Sequence, residues 1–248
     1  MTTRKTKVKN QTGQKKQTGS HLSPHRPQSP LYKLVSHHHI TTSSHHHMNN
    51  LSIIQTKGKE MFGEHFQIIP EDYEVVHKLL TWFLQDEQQA QQFGLNLHKG
   101  ILLTGPIGCG KTSLMSLMRT LAPPPQRFAI KSCREITFNF IKDGYDIIQR
   151  YSSYAYNNTT NPPLPYTHCF DDLGAESTLK YYGNQCNVMG EILLSRYDHF
   201  INNHMITHAT TNLSASELES YYGNRVRSRM REMFNLIAFD SSAKDKRK

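Results

Sequence analysis

Residues 105 to 112 read GPIGCGKT and meet the pattern GxxxxGK[ST] through Gly105, Gly110, Lys111 and Thr112. Each residue type in this pattern serves the binding of phosphate groups. Glycines let backbone N–H groups close around phosphate oxygens, the lysine adds a positive charge, and the threonine hydroxyl is a ligand for Mg²⁺. The pattern therefore predicts a loop that holds a nucleoside triphosphate together with Mg²⁺.

The alternative to a phosphate loop is a chance glycine-rich turn, and the flanking sequence favours the loop. Residues 101 to 103 are apolar and predict a buried strand, whereas 111 to 121 predict a helix that ends at three prolines. A strand before the loop and a helix after it are the context that the motif requires. The predicted nucleotide contacts are Gly105, Pro106, Gly108, Cys109, Gly110, Lys111, Thr112 and Ser113.

Two carboxylates follow a further predicted strand, at 166 to 170. A phosphate loop needs a carboxylate on a neighbouring strand to hold the metal, and Asp171 is predicted to do so together with Thr112. Asp172 is placed to polarise the water that attacks the terminal phosphate. The alternative is that the two acidic residues only cap the end of a strand.

Two more polar groups lie further along the chain. Asn212 follows a predicted strand at 205 to 210, and strands of such a sheet present their carboxyl ends to the ligand, so its amide is placed to orient the same water. An asparagine that opens a turn is also common on conformational grounds alone. The predicted helix at 224 to 234 carries Arg225, Arg227, Arg229 and Arg231, although a basic helix is by default a solvated surface.

The elements that must position these groups alternate between strands and helices. Strands are predicted at 101 to 103, 128 to 131, 166 to 170, 205 to 210 and 236 to 239. Helices are predicted at 70 to 93, 111 to 121, 133 to 151, 187 to 202, 214 to 222 and 224 to 234. This alternation predicts an α/β fold, a parallel sheet sandwiched between helices.

Charge is distributed unevenly along the 248 residues. Residues 1 to 47 contain eight Lys or Arg and no acidic residue, and so carry +8 of the formal net charge of +9. We expect this segment to be a disordered basic tail, and a targeting segment or an untranslated extension before Met48 are alternatives. Residues 48 to 98 are interpreted as a linker and helix that lead into the core, 99 to 240 as the core and 241 to 248 as a solvated basic tail.

Cysteine spacing and hydropathy indicate the cellular compartment that we expect for the protein. The four cysteines lie far apart without a CxxC pair, which indicates reduced thiols and a cytoplasmic protein. No apolar stretch approaches the ~20 residues that span a bilayer, so no membrane contact is expected.

Several longer motifs resemble the DnaC/IstB group of AAA+ ATPases, which includes replicative helicase loaders and transposition helper ATPases. The likeness runs through GILLTGPIGCGKT, CFDDLGAE, ATTNLSASELESYYGNRVRSRMRE and the closing Phe239-Asp240. It extends over most of residues 60 to 240. The phrase DDLG followed by TTNLS and YGxRVxSR is far more specific than a phosphate loop alone.

The resemblance implies roles for the site residues. Lys111 and Thr112 would be Walker A, Asp171 and Asp172 Walker B, and Asn212 the sensor of the γ-phosphate. Arg229 resembles the arginine finger that reaches a neighbouring subunit's nucleotide, and Arg225 a second arginine near the same phosphates. The resemblance also implies ATP as the nucleotide, a homo-oligomer, little or no C-terminal lid, and a replicative helicase or a transposase as partner.

The family is also expected to contact single-stranded DNA after the second strand. The candidates are Lys131, Arg134, Lys142 and Arg150, with Phe138, Phe140 and Tyr145 for stacking, although aromatic residues at these spacings are more often core. No dedicated amino-terminal partner module is recognisable, and Asp172 stands where Glu is more usual. A nucleotide-gated binding module with little hydrolysis and a small-molecule kinase are therefore alternative functions.

Overall fold

The computed structural model describes residues 47 to 177, 179 to 181 and 184 to 247. The predicted disordered tail at 1 to 47 lies outside these residues, apart from His47, with which the first helix begins. Among the described residues, no helix is both long enough and apolar enough to cross a bilayer.

A five-stranded parallel sheet forms the centre of the fold. Its strands are β1 (Gly100–Thr104), β2 (Ala129–Ser132), β5 (His168–Asp171), β8 (Thr207–Thr211) and β9 (Phe234–Ala238). Across the sheet they lie in the order β2-β5-β8-β1-β9. All five were predicted within a few residues. β1 lies between β8 and β9, with Thr104 opposite Thr211, so the carboxyl ends of β1 and β8 lie side by side.

The described helices are α1 (His47–Phe62), α2 (Tyr73–Leu84), α3 (Glu87–Phe93), α4 (Lys111–Leu121), α5 (Cys133–Asp143), α6 (Asp146–Arg150), α7 (Val188–Asn203) and α8 (Ala215–Met233). Short antiparallel pairs β3 (Tyr156–Asn157) with β4 (Leu164–Pro165) and β6 (Leu179–Tyr181) with β7 (Asn184–Cys186) complete the description. In the described residues after β9, 239 to 247, no further helix or strand forms.

Alternate residues of the buried strands build two cores, one on each face of the sheet. Ile101 and Leu103 of β1 pack in the cluster that includes residues of α1, α2 and α4. Leu102 belongs to the other cluster, together with residues of α5, α7 and α8. Because successive side chains of a strand point to opposite faces, both faces of the sheet are covered by helices. The predicted fold class, a parallel α/β sheet between helices, is confirmed.

Two helices that were predicted as continuous are each broken in two. The predicted helix at 70 to 93 is interrupted at Gln85, whose backbone is left-handed with φ of 57°. A second helix starts after Asp86, because the Asp86 side chain accepts a capping hydrogen bond of 3.0 Å from the backbone N–H of Gln89. The predicted helix at 133 to 151 is broken at Gly144, with φ of 59°. Apolar periodicity continues across both breaks, so the spacing alone predicted a single helix each time.

Two buried histidines make the fold sensitive to acid. His208 lies between Trp82 and Phe128, and its Nδ1 accepts a 3.1 Å hydrogen bond from the backbone N–H of Ile101. Burial and the nearby charge of Arg196 lower the pKa of His208 to about 3. Burial and Arg196, 3.3 Å away, likewise lower the pKa of His168 to about 3.

We expect the free energy of unfolding to fall as the pH drops from about 6.5 towards 3. In the unfolded chain a histidine has a pKa of about 6.5. Between pH 6.5 and 3 the unfolded state therefore binds protons that the folded state does not bind, and this favours unfolding. At pH 5 the loss is about 2 kcal/mol for each of the two histidines. Urea unfolding between pH 7 and pH 5 measures it.

The slope of the unfolding free energy against pH distinguishes the titration of a histidine from a loss of packing caused by its substitution. His208→Leu should flatten the slope by about half, whatever its stability at pH 7, because it removes one of the two titrating groups. His98→Asn, at an exposed position, is the control and should keep the wild-type slope. An unchanged slope in the His208 variant would contradict the assignment.

Candidate functional site

Residues 105 to 110 form the turn between the end of β1 and the start of α4, as the motif predicted. Gly108 and Gly110 have φ of 79° and 105°, in the left-handed region where side chains are strained. Gly110 is the N-cap of α4, so the first N–H groups of the helix have no partner within the helix itself. A loop that exposes backbone N–H groups at the positive end of a helix is a binding site for an anion.

The ammonium group of Lys111 lies inside this turn. The side chain is buried, and its Nζ donates hydrogen bonds of 2.8 Å to the carbonyl oxygens of both Gly105 and Pro106. The Sγ of Cys109 lies 3.9 Å from the same nitrogen. The predicted positive charge is therefore positioned at the loop, where phosphate oxygens are alternative acceptors for its N–H groups.

A hydroxyl and a carboxylate meet at the mouth of the loop. The Thr112 Oγ1 donates to Asp171, at 2.9 Å from Oδ1 and 3.1 Å from Oδ2. Asp171 Oδ1 also accepts from the Thr210 hydroxyl at 2.7 Å. Hydroxyl and carboxylate oxygens are the ligands that Mg²⁺ prefers, so the donor set fits this ion. The structure thus brings together the two residues that were predicted to hold the metal.

Asp172 follows directly and occupies an unusual backbone conformation. Its φ is 56°, and its backbone N–H donates to the Thr210 hydroxyl at 2.9 Å. The side chain is exposed. Burial of part of the carboxyl group and the charge of Asp171 raise the pKa of Asp172, against the opposing charges of Lys111 and Arg247. A carboxylate with a raised pKa is a better proton acceptor.

Asn212 lies at the same edge of the sheet. It is exposed and follows Thr211, the last residue of β8, which pairs with Thr104 immediately before Gly105. Ser113 is half-buried in the first turn of α4. Cys109 is fully buried, so it contributes its backbone to the loop, and burial raises the pKa of its thiol.

Arg225 and Arg229 lie on the second half of α8, away from the loop of their own chain. α8 starts just after the site edge of β8 and leads into Phe234, which pairs with Gly100 at the opposite end of β1. Arg229 lies beyond the non-helical break at Gly223, in the part of the helix that ends at Met233. Its guanidinium group rests on the Tyr197 ring, 4.9 Å from the centroid. The fold does not bring Arg229 to Lys111 within one chain.

Of the residues proposed for DNA, three form one stripe on α5. Arg134, Phe138 and Lys142 are spaced four residues apart, are exposed, and Arg134 lies 5.4 Å from the Phe138 ring centroid. Lys131 is half-buried on β2, and Arg150 on α6 pairs with Asp143 at 3.1 Å. Phe140, which was also considered for stacking, is fully buried in the core and is not available.

The C-terminal residues were predicted to be solvated, but Lys246 is packed against the core. Its Nζ lies 2.5 Å and 2.6 Å from the carboxylate oxygens of buried Asp72, and its backbone N–H donates to the Gly108 carbonyl at 3.0 Å. Asp245 lies close to Gly108, where an added Cβ would meet its carboxylate at 2.0 Å. Asp72 lies in the first turn of the predicted helix at 70 to 93, where an acidic residue is ordinary, and a charge-rich tail gives no signal of such packing.

Glu176 is a second feature that sequence reasoning missed. It is 5% exposed, and its carboxylate accepts hydrogen bonds from the Gly174 N–H at 2.8 Å and from the Tyr222 hydroxyl. It follows the two aspartates at a spacing that no general chemical pattern marks, and its place inside the CFDDLGAE motif was the one signal that could have pointed to it.

The sheet, the glycine-rich turn and the lysine and threonine that open α4 define a P-loop NTPase fold. No protein-family model and no curated protein sequence matches this chain.

Among solved structures, the chain is similar to the DnaC helicase loader, with 17% identity over 71% of this chain and 95% of that chain, and a TM-score of 0.47. A putative primosome component from Streptococcus pyogenes serotype M3 is 16% identical over 71% of this chain and 83% of that chain, with a TM-score of 0.46. AMPPCP-bound DnaA from Aquifex aeolicus is 17% identical over 73% of this chain and 50% of that chain, with a TM-score of 0.44. Similarity at this level concerns the fold alone.

Proposed function

We propose that the protein is a cytoplasmic AAA+ ATPase that binds ATP with Mg²⁺ and hydrolyses it in DNA replication or transposition. The observation that carries the proposal is the contact of 2.9 Å between the Thr112 hydroxyl and the Asp171 carboxylate, beside the buried ammonium group of Lys111. Two oxygen ligands for Mg²⁺ and a cation for phosphates at one edge of the sheet are what a P-loop ATPase needs.

Each residue at this edge has a task in hydrolysis. The backbone N–H groups of the loop and Lys111 hold the phosphates. Thr112 and Asp171 would hold Mg²⁺, which neutralises phosphate charge when it is bound. Asp172 accepts a proton from the attacking water, a task for which the raised pKa of its carboxyl group is suited. Asn212 orients that water from the end of β8.

An arginine of a neighbouring subunit stabilises the remaining negative charge on the transferring phosphoryl group. Arg229 and Arg225 lie on the far half of α8, which in one chain leads away from the loop. A homo-oligomer in which this half faces the next subunit's loop supplies the arginine finger in trans. Hydrolysis then depends on assembly, as is useful for a protein that loads or remodels a replicative helicase or a transposase on DNA.

Single-stranded DNA would be bound along α5. Arg134 and Lys142 offer positive charge to the backbone, and the exposed Phe138 ring offers a surface for base stacking. Lys131 and Arg150 flank this stripe, with Arg150 partly neutralised by Asp143. Binding of this kind is sequence-tolerant and weakens with salt.

Phosphate release from ATP by the purified chain tests the proposal. We expect Mg²⁺-dependent turnover that rises more steeply than linearly with protein concentration and is stimulated by a single-stranded oligonucleotide. ATP binding without phosphate release would instead support the alternative, a nucleotide-gated binding module, since the short Asp172 side chain stands where glutamate is more usual. Phosphoryl transfer to a nucleoside or sugar would support a kinase.

A further inference from the structure

The buried carboxylate of Glu176 joins two parts of the proposed ATPase site. On one side it accepts the Gly174 N–H at 2.8 Å, and on the other it accepts the Tyr222 hydroxyl. The Tyr221 hydroxyl donates to the main-chain carbonyl of Glu176. Burial raises the pKa of Glu176, while these hydrogen bonds oppose that shift.

Gly174 belongs to the tight turn that carries Asp172. In this turn the Ala175 N–H donates to the Asp172 carbonyl at 3.0 Å, and the Leu173 N–H donates to the Thr210 carbonyl at 2.8 Å. The turn is thus held to β8 at its start. Glu176 holds its other end.

Tyr222 lies at the interruption of α8. The next residue, Gly223, has non-helical φ and ψ of 81° and 162°, and Arg225 and Arg229 follow it. A hydrogen bond to Tyr222 therefore fixes the last turn of the first half of α8, from which the arginine-bearing half departs.

A purely structural role does not call for an acid at this place. A buried carboxylate loses its hydration at a cost in free energy, and an apolar side chain of similar volume would fill the same space without that cost. A carboxylate that accepts from two different elements, in contrast, fixes their relative position through directional hydrogen bonds.

We propose that Glu176 is a positioning residue, whose hydrogen bonds to the Gly174 N–H and the Tyr222 hydroxyl fix the Asp172 turn against α8 for hydrolysis. The proposal rests on the proposed ATPase function. The two side chains act as one unit, and loss of either bond lets Asp172 move relative to the phosphates while the phosphate loop itself stays intact.

The test compares Glu176→Met, which keeps the length of the side chain but offers no carboxylate acceptor, with Tyr222→Phe and the double variant in the full chain. We expect kcat for ATP to fall by about 10- to 100-fold, the scale on which small misplacements act, with the affinity for Mg-ATP measured by calorimetry unchanged. The double variant should lose no more than the more affected single variant, since both changes break the same link. Tyr156→Phe, which removes a 2.9 Å hydrogen bond to His199 outside the site, is the matched control and should keep wild-type kcat.

Several outcomes would overturn the positioning role. One is wild-type kcat in both single variants, and another is losses that multiply in the double variant. A third is a parallel loss of thermal stability, Mg-ATP affinity and kcat, which indicates a structural role only. Tyr222→Phe, the milder change, decides this where Glu176→Met folds poorly. If the wild-type chain itself releases no phosphate, the ATPase proposal fails and the positioning role falls with it.

Discussion

Lys111→Ala should abolish ATP binding, with the affinity for Mg-ATP reduced by more than about 100-fold, the scale for one preorganised donor removed from phosphate charge. Lys111 is buried with its Nζ against the Gly105 and Pro106 carbonyls. Its alanine variant loses the one cation within the loop. Calorimetric titration with Mg-ATP measures the loss, and phosphate release should fall with it.

The control for this prediction is a lysine in a different setting. Lys78 forms an ion pair of 2.6 Å with Glu74 on α2, and Lys78→Ala should bind Mg-ATP like the wild type. Removing the Lys111 ammonium also takes the donor from the Gly105 carbonyl, at a cost of about 1–3 kcal/mol where that carbonyl is buried, whereas the Pro106 carbonyl keeps the Cys109 N–H at 3.4 Å. The thermal midpoint must therefore be measured as well. A folded Lys111→Ala variant that binds Mg-ATP at wild-type affinity would refute the assignment of the loop.

Chemistry that depends on local spacing could be predicted from the sequence. The GxxxxGK[ST] motif predicted a phosphate-binding turn directly after β1. The contact between Thr112 and Asp171 could be expected because parallel strands end at the same edge of a sheet. Both predictions need only parallel strands and the periodicity of the flanking elements, but the strand order was not predicted, and β8 lies between β1 and the strand that ends at Asp171.

Features that depend on tertiary contacts could not be predicted. The partner of Glu176 is Tyr222, 46 residues away, and the partner of Lys246 is Asp72, 174 residues away. No spacing rule relates residues so distant. The break at Gln85 has a similar cause, since capping by Asp86 outweighed the apolar periodicity that continues through it.

Arg229→Ala should lower kcat by about 10³- to 10⁵-fold, the contribution typical of an arginine finger, with Mg-ATP affinity largely retained. Arg229 is half-buried, and its guanidinium group lies over the Tyr197 ring at 4.9 Å from the centroid. A contact of this kind contributes about 0.5–1 kcal/mol, so the variant should fold normally. Arg231→Ala, which loses only a surface contact of 3.9 Å to Glu219, is the control on the same helix.

Mixing two inactive variants separates action in trans from action in cis. A Lys111→Ala subunit still presents Arg229, and an Arg229→Ala subunit still binds ATP, so the interface that joins them in the right order is complete. With random head-to-tail assembly of equal amounts, about one quarter of interfaces have this order. Phosphate release should recover to about that fraction of the wild-type rate, and only when both variants are present. If the mixture stays as inactive as its components although the two variants co-assemble, Arg229 does not act across the interface.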